Sequence, residues 1–410
     1  MQSNRSNGGV SRRRIVQSAA ALLSAPAFVR AQARKAMTVS VGRQPWAAGN
    51  SPVTAHMMAN KTFERLAAEA GYDLTVDYRD YPSAAPMVEA FVSGNLNFGM
   101  WGNTPIVRLL AQNQPIQLLS VGEGHFRFVL ATRKDSPIRT IADLKGKTVG
   151  ALLGGDPYNV LSQMLRVELG NPDPRAHDIT VVNTPTQAQA AALPSGMDAA
   201  VVIHPAFLKA QAELGTVGIM NSFGYTEGHY RGPAGVGAGH LLPAVRKSAF
   251  FPDGYYLHRS FWIGSSKMIQ SDPRLVSAFI QAQQDAVARL SQMDQGQVSQ
   301  LALKYWELPP ALGAKVVDDD VLFKRGWCWA TEGDATALLE TSKSMVDGKL
   351  IAKPLTWAQV KAGFAEAAPV AKLAYEKSGS KPDVAAFQAK DAADLRGLPS
   401  WMSERWAERS

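Results

Sequence analysis

Four times along the chain a short apolar run ends in a polar residue or a glycine, a proline follows within a few positions, and a helical pattern begins. The runs are Leu96–Trp101 before Gly102-Asn103-Thr104-Pro105, Val149–Leu152 before Gly154-Gly155-Asp156-Pro157, Ile179–Asn183 before Thr184-Pro185, and Ala199–Ile203 before His204-Pro205. Proline at the first helical position gives up no backbone bond, and a Thr or Asp just before it caps the free amides. Thr104 and Asp156 are read as such caps, with Ile106, Leu109 and Leu110 on one face of the helix that follows Pro105. Capping alone explains any single copy. Four copies alternating with strands predict an α/β protein whose helix starts converge on the carboxyl edge of a sheet, where ligands bind and N-terminal amides favour an anion.

The rest of the chain divides around these units. Thr38–Gly42, Leu74–Tyr78 and Ile116–Val121 read as strands, Thr54–Ala70 and Met87–Val92 as helices, so residues 37–132 form a βαβαβ unit with a mostly parallel sheet. Phe126–Thr132 runs on as a strand and is read as a first crossing to a second lobe, residues 133–255; Tyr255–Ser265 is read as the crossing back. Residues 256–375 then rejoin the first lobe, with helices at Pro273–Leu290, Val298–Trp306, Asp334–Val346 and Trp357–Tyr375. Asp318-Asp319-Asp320 reads as a solvated turn between helices. Asn221–Gly254 is rich in Gly, Tyr, His and Pro without G-x-G-x-x-G spacing, and is read as a surface loop that can cover a ligand. Residues 376–410 are read as a peripheral extension.

Residues 1–33 have the form of an export leader: Arg12-Arg13-Arg14, an Ala/Leu run from Ala19 to Val29, and Ala31-Gln32-Ala33 as a cleavage site. The arginine pair resembles a twin-arginine signal, and the run is too short to span a bilayer. Cleavage after Ala33 and a periplasmic location are expected. The leader holds Arg5, Arg12, Arg13, Arg14 and Arg30 and no acid, so its removal takes the formal charge from +8 to +3. The remaining chain carries no basic stripe of the kind a nucleic-acid binder shows. Cys328 is the only cysteine, which excludes an intramolecular disulfide and a cysteine-built zinc site; between Trp327 and Trp329 it reads as a packed thiol.

The leader, Gly94–Pro105, Ile141–Gly150 and Ser195–Val202, in that order, resemble the solute-binding proteins of ABC importers, in the sulfonate/nitrate/taurine group that also embraces thiamine-pyrimidine-type binders. The resemblance covers residues 37–370. It implies a two-lobed periplasmic-binding fold of type II, two α/β lobes joined by two crossing strands and closing on a small solute, with a membrane permease as partner. It also implies ligand contacts from Gln44, Trp46, Trp101, Asn103 and Thr104 in the first lobe and from Gly154, Gly155, Asp156, Thr184 and His204 in the second. A monomer without cofactor, metal or nucleic acid is expected.

No G-x-S-x-G, H-E-x-x-H or P-loop pattern occurs, and the seven histidines are scattered. Catalysis is therefore not expected; the rival class is an enzyme, since similar folds occur in pyrimidine-forming proteins, and a sensor module is a second. Helix-start amides suit an oxyanion, whereas Asp156 brings negative charge to the same rim. Taurine-like or aliphatic sulfonate solutes are accordingly expected first and pyrimidine-type heterocycles second.

Overall fold

The computed structural model describes residues 34–44, 50–123, 128–221, 224–225, 258–306, 308–319, 322–323, 326–330 and 332–379. The leader, most of the Asn221–Gly254 loop and the C-terminal extension lie outside these residues, as does Trp46.

In chain order the strands are β1 (Lys35–Arg43), β2 (Tyr72–Asp80), β3 (Phe98–Trp101), β4 (Ile116–Glu123), β5 (Phe128–Thr132), β6 (Thr148–Ala151), β7 (Thr180–Asn183), β8 (Ala199–Ile203), β9 (Val217–Asn221), β10 (Gly224–Tyr225) and β11 (Ser260–Ser265). The helices are α1 (Asn50–Asn60), α2 (Thr62–Glu69), α3 (Ala84–Val92), α4 (Asn103–Ala111), α5 (Asp156–Leu169), α6 (Gln187–Ala191), α7 (His204–Leu214), α8 (Ser266–Ser271), α9 (Pro273–Leu290), α10 (Gln295–Tyr305), α11 (Pro310–Asp319), α12 (Glu332–Asp347), α13 (Trp357–Ala365) and α14 (Ala367–Lys377).

The strands make two sheets, β2-β1-β3-β11-β4 and β10-β9-β5-β8-β6-β7. Parallel pairing joins β1 to β2 and β3, and β6 to β7 and β8. Both sheets are mixed, because β11 is antiparallel to β3 and β4 and β5 is antiparallel to β8 and β9. The chain thus leaves the first sheet after β4 and returns to it at β11. The strands expected as crossings are ladder strands of different sheets, and the passages between the sheets fall at residues 124–127 and within 226–257, outside the described residues.

Each sheet has an apolar core. Phe98 stacks on Phe279 of α9 with ring centroids 3.9 Å apart, and Phe63 and Trp262 meet the same ring edge-on. Leu130, Val149, Val201 and the α5 residues Leu161, Met164 and Leu165 are buried around the second sheet. Burial of a side chain of this size contributes about 1.5–3 kcal/mol, which is why the apolar periodicity marks these elements so clearly.

The differences from sequence expectation lie at element ends. Thr54–Ala70 is two helices, broken where Lys61 takes a left-handed φ of 46°, and Trp357–Tyr375 is likewise two, α13 and α14. Asp318 and Asp319 close a helix, α11, instead of forming a turn. Gly102, not Thr104, is the N-cap of α4, and Gly155, not Asp156, that of α5. The helix expected at Thr184-Pro185 begins later, with Thr186 as N-cap, its hydroxyl accepting from the Gln189 amide. Cys328 is buried between buried tryptophans.

Candidate functional site

A cavity of about 70 Å3 opens where the carboxyl ends of strands from both sheets meet. Gln44 enters it from the end of β1, Gly102 from β3, Glu123 from β4, and Gly155 and Asp156 from the turn after β6. Ile203 closes it at the end of β8, and Phe128 and Ser260 at the starts of β5 and β11. Typical small-molecule pockets are larger, on the order of 300–1,000 Å3.

The cavity is bridged by a hydrogen bond. With glycine at the N-cap, no side chain of α4 itself satisfies the start of that helix. Asp156 does so from the other unit: its Oδ1 accepts from the Thr104 amide at 2.9 Å. A carboxylate at this position gains both a charge-assisted bond and the helix dipole. Gly102 is needed for the approach, because a side chain there would run into Asp156 Oδ2 and would stand 2.6 Å from His258 Nε2.

His258 completes this corner. It is buried, with its ring edge-on to Phe128 at 5.1 Å. Burial pushes its pKa down to about 4, against the pull of Asp156, so the imidazole is neutral at neutral pH. Its Nε2 lies 3.8 Å from Asp156 Oδ2, too far for a hydrogen bond, and with the ring neutral the contact is not an ion pair. Behind it, Arg259 Nε donates to Asp334 Oδ1 at 2.7 Å in an ion pair that is 2% and 0% exposed. Asn103 Oδ1 accepts from the Arg259 amide and its Nδ2 donates to Thr341. The opposite wall is fixed by Ser260, whose hydroxyl donates to Glu123 Oε2 at 2.7 Å.

Among the ten residues singled out in the sequence, Gln44, Gly155 and Asp156 line this cavity, and Thr104 meets it through its amide. Gln44 Nε2 donates to the Met100 carbonyl at 2.9 Å. Trp101 does not reach it: the ring is fully buried and edge-on to Phe91 at 5.2 Å, while the preceding Met100 faces the cavity. Asn103 is a buried brace. Gly154 takes a left-handed φ of 75° and packs on the Arg108 guanidinium. Thr184 is buried with an unpartnered hydroxyl. His204 starts α7, half-buried and outside the lining. Glu123, Phe128, Gln187, His258 and Ser260 were not singled out. A polar His-Arg pair inside an otherwise apolar aromatic run was the one available signal for His258.

Among the described residues no group of three or more His, Cys, Asp or Glu could hold a metal ion, and no helix is long and apolar enough to cross a membrane.

A family model described as NMT1/THI5 like matches residues 66–293. A curated aliphatic sulfonates-binding protein of Escherichia coli (strain K12) is 27% identical over 150 residues, which are 36% of this chain and 44% of that protein. The crystal structure of the periplasmic aliphatic sulphonate binding protein SsuA from Escherichia coli aligns with a TM-score of 0.55 and 19% identity, over 78% of this chain and 91% of that one. The desulfurization enzyme DSZB aligns with a TM-score of 0.50 and 16% identity, over 82% and 99%. At these identities the structural likeness shows the fold, that of the periplasmic binding proteins.

Proposed function

The chain belongs to the NMT1/THI5-like family, and from that premise we propose that it is the exported solute-binding component of an ABC importer. It acts as a monomer that closes two α/β lobes, residues 37–132 with 256–375 and residues 133–255, on a small organic solute and hands it to a membrane permease. The leader directs it through the twin-arginine route to the periplasm and is cleaved after Ala33. The observation that carries this reading is the cavity itself: it is lined from the carboxyl ends of both sheets and bridged by Asp156 to Thr104. A site split between two units that meet through a breakable contact suits capture and release.

Taurine-like or aliphatic sulfonate solutes come first. The names of the relatives support this, and the α4 amide already holds an oxyanion of the protein's own making, the Asp156 carboxylate. A donor-rich heterocycle is the second reading, favoured by the carboxylates of Glu123 and Asp156 on the cavity wall. Binding is proposed instead of catalysis on the names of the relatives, which are sulfonate-binding proteins, and because Cys328 is buried beyond the lining.

A thermal-shift panel of taurine, ethanesulfonate and aminopyrimidines tests this. A solute at about a hundred times its dissociation constant adds roughly 2.7 kcal/mol of stability. A rise with the sulfonates is the expected result. A rise with aminopyrimidines alone moves the solute to the heterocycles, and no rise with any of them refutes both readings.

A further inference from the structure

We propose that Asp156 is a built-in competitor for the solute's oxyanion: its carboxylate holds the α4 amide, tethers the two units, and must be displaced before an anionic group can sit there. The inference rests on reading the cavity as a solute site, and adds to it the residue that sets which charge the site accepts.

Three observations carry it. First, Asp156 reaches across the cavity to cap a helix that is not its own. Residues at the start of a helix ordinarily serve their own free amides, yet Asp156 Oδ1 accepts from Thr104 at 2.9 Å, while the N-cap of its own helix α5 is Gly155. Secondly, the chain is shaped for the approach. Gly102 leaves room for both Asp156 Oδ2 and His258 Nε2, so a side chain at this position would drive the carboxylate off the amide. Thirdly, the tether continues along α5. Ser344 donates to Asn159 Oδ1 at 3.2 Å, and Arg166 is ion-paired with Asp347. Asp156, Asn159 and Arg166 share one face of α5 at helical spacing, and the residues they meet lie on α4 and α12, which Asn103 braces to one another through Thr341. The contacts named are hydrogen bonds and an ion pair, as suits an interface that opens.

The consequence for solutes follows from Coulomb repulsion. A simple monoanion on the α4 amide leaves Asp156 close by as a second negative charge, and the neutral His258 beside it does not offset that charge. A solute with an ammonium group next to its oxyanion gives the displaced carboxylate a partner. Asp156 therefore acts as a filter for zwitterions against monoanions of the same size.

The test uses the purified protein, Asp156→Asn and Asp156→Ala, with ethanesulfonate and taurine as probes that differ by one ammonium group. Without solute, small-angle scattering is expected to show a larger radius of gyration for Asp156→Ala than for wild type. By calorimetry, Asp156→Asn is expected to shift the ratio of the two dissociation constants toward ethanesulfonate by roughly tenfold or more, the change that removing about 1.4 kcal/mol of repulsion produces. An Asp156→Ala protein no more open than wild type, or an unchanged ratio in Asp156→Asn, overturns the proposal. If neither probe binds any of the proteins, the sulfonate reading fails and the scattering comparison still decides the role of Asp156. Asp156→Asn keeps the shape and the acceptor oxygen, so its melting curve also separates a filter from a folding defect.

Discussion

At the scale of single residues, the chemistry of the cavity turns on side chains whose environment differs from what their neighbours in sequence suggest. His258 lies in an aromatic run, yet it sits buried against Phe128 with its pKa pushed down to about 4. The unfolded chain holds an ordinary histidine near pH 6.5. Between these two values the unfolded state binds a proton that the folded state refuses, so stability is full above about pH 6.5 and falls as the pH drops toward 4. The loss attributable to His258 is on the order of 3 kcal/mol. His56, lowered chiefly by burial, acts with the same sign; the lowered carboxyls of Asp143, Asp173 and Asp272 do so further down, and the raised Asp285 opposes them. Urea midpoints at pH 7 and pH 4.5 check this: His258→Leu is expected to flatten the pH dependence, and a variant as acid-sensitive as wild type contradicts it. Trp101 shows the converse limit of sequence reading. Successive side chains of a strand face opposite ways, so one step of phase exchanges wall for core. The sequence around β3 offers Met100 and Trp101 equally, and only the packing on Phe91 places Trp101 inside.

Elements were legible wherever one face is continuously buried. Pro273–Leu290 is observed as α9 with the same bounds, because its long apolar stripe stands between a proline start and a polar stop. Caps were not legible, since the group that satisfies a helix start can come from anywhere in the fold. Thr104 and Asp156 were each read as capping their own helices, whereas one caps the other's helix across the cavity. The break at Lys61 was hidden for a different reason. Phe63, Leu66 and Ala67 continue the apolar pattern beyond it, and a left-handed lysine has no composition signal. Helix α5 also carries a feature that periodicity cannot reveal: Gln163 is 0% exposed and neither atom of its amide finds a hydrogen-bond partner. A buried polar group left unbonded costs about 1–3 kcal/mol. Gln163→Met, which keeps the length of the side chain, is therefore expected to raise the melting temperature, and a fall contradicts the reading.

For the whole molecule, the alternation of strands and helices identified two α/β units, and the repeated helix starts pointed to their common edge. The mixed sheets were not foreseen, because β5 and β11 are buried runs that carry no mark of direction. Only their pairing with β8 and β9, and with β3 and β4, sets it. The edge itself became a site only when both units were in place, since Glu123, Phe128, Asp156, His258 and Ser260 come from separate stretches of chain. The central claim is that this edge captures a small solute and releases it unchanged. Calorimetric titration with taurine, followed by separation and mass analysis of the solute, tests it most directly. The expected result is saturable binding of one solute per chain with all of it recovered intact. Turnover to a new product, or no saturable binding by taurine or any other sulfonate, contradicts the account.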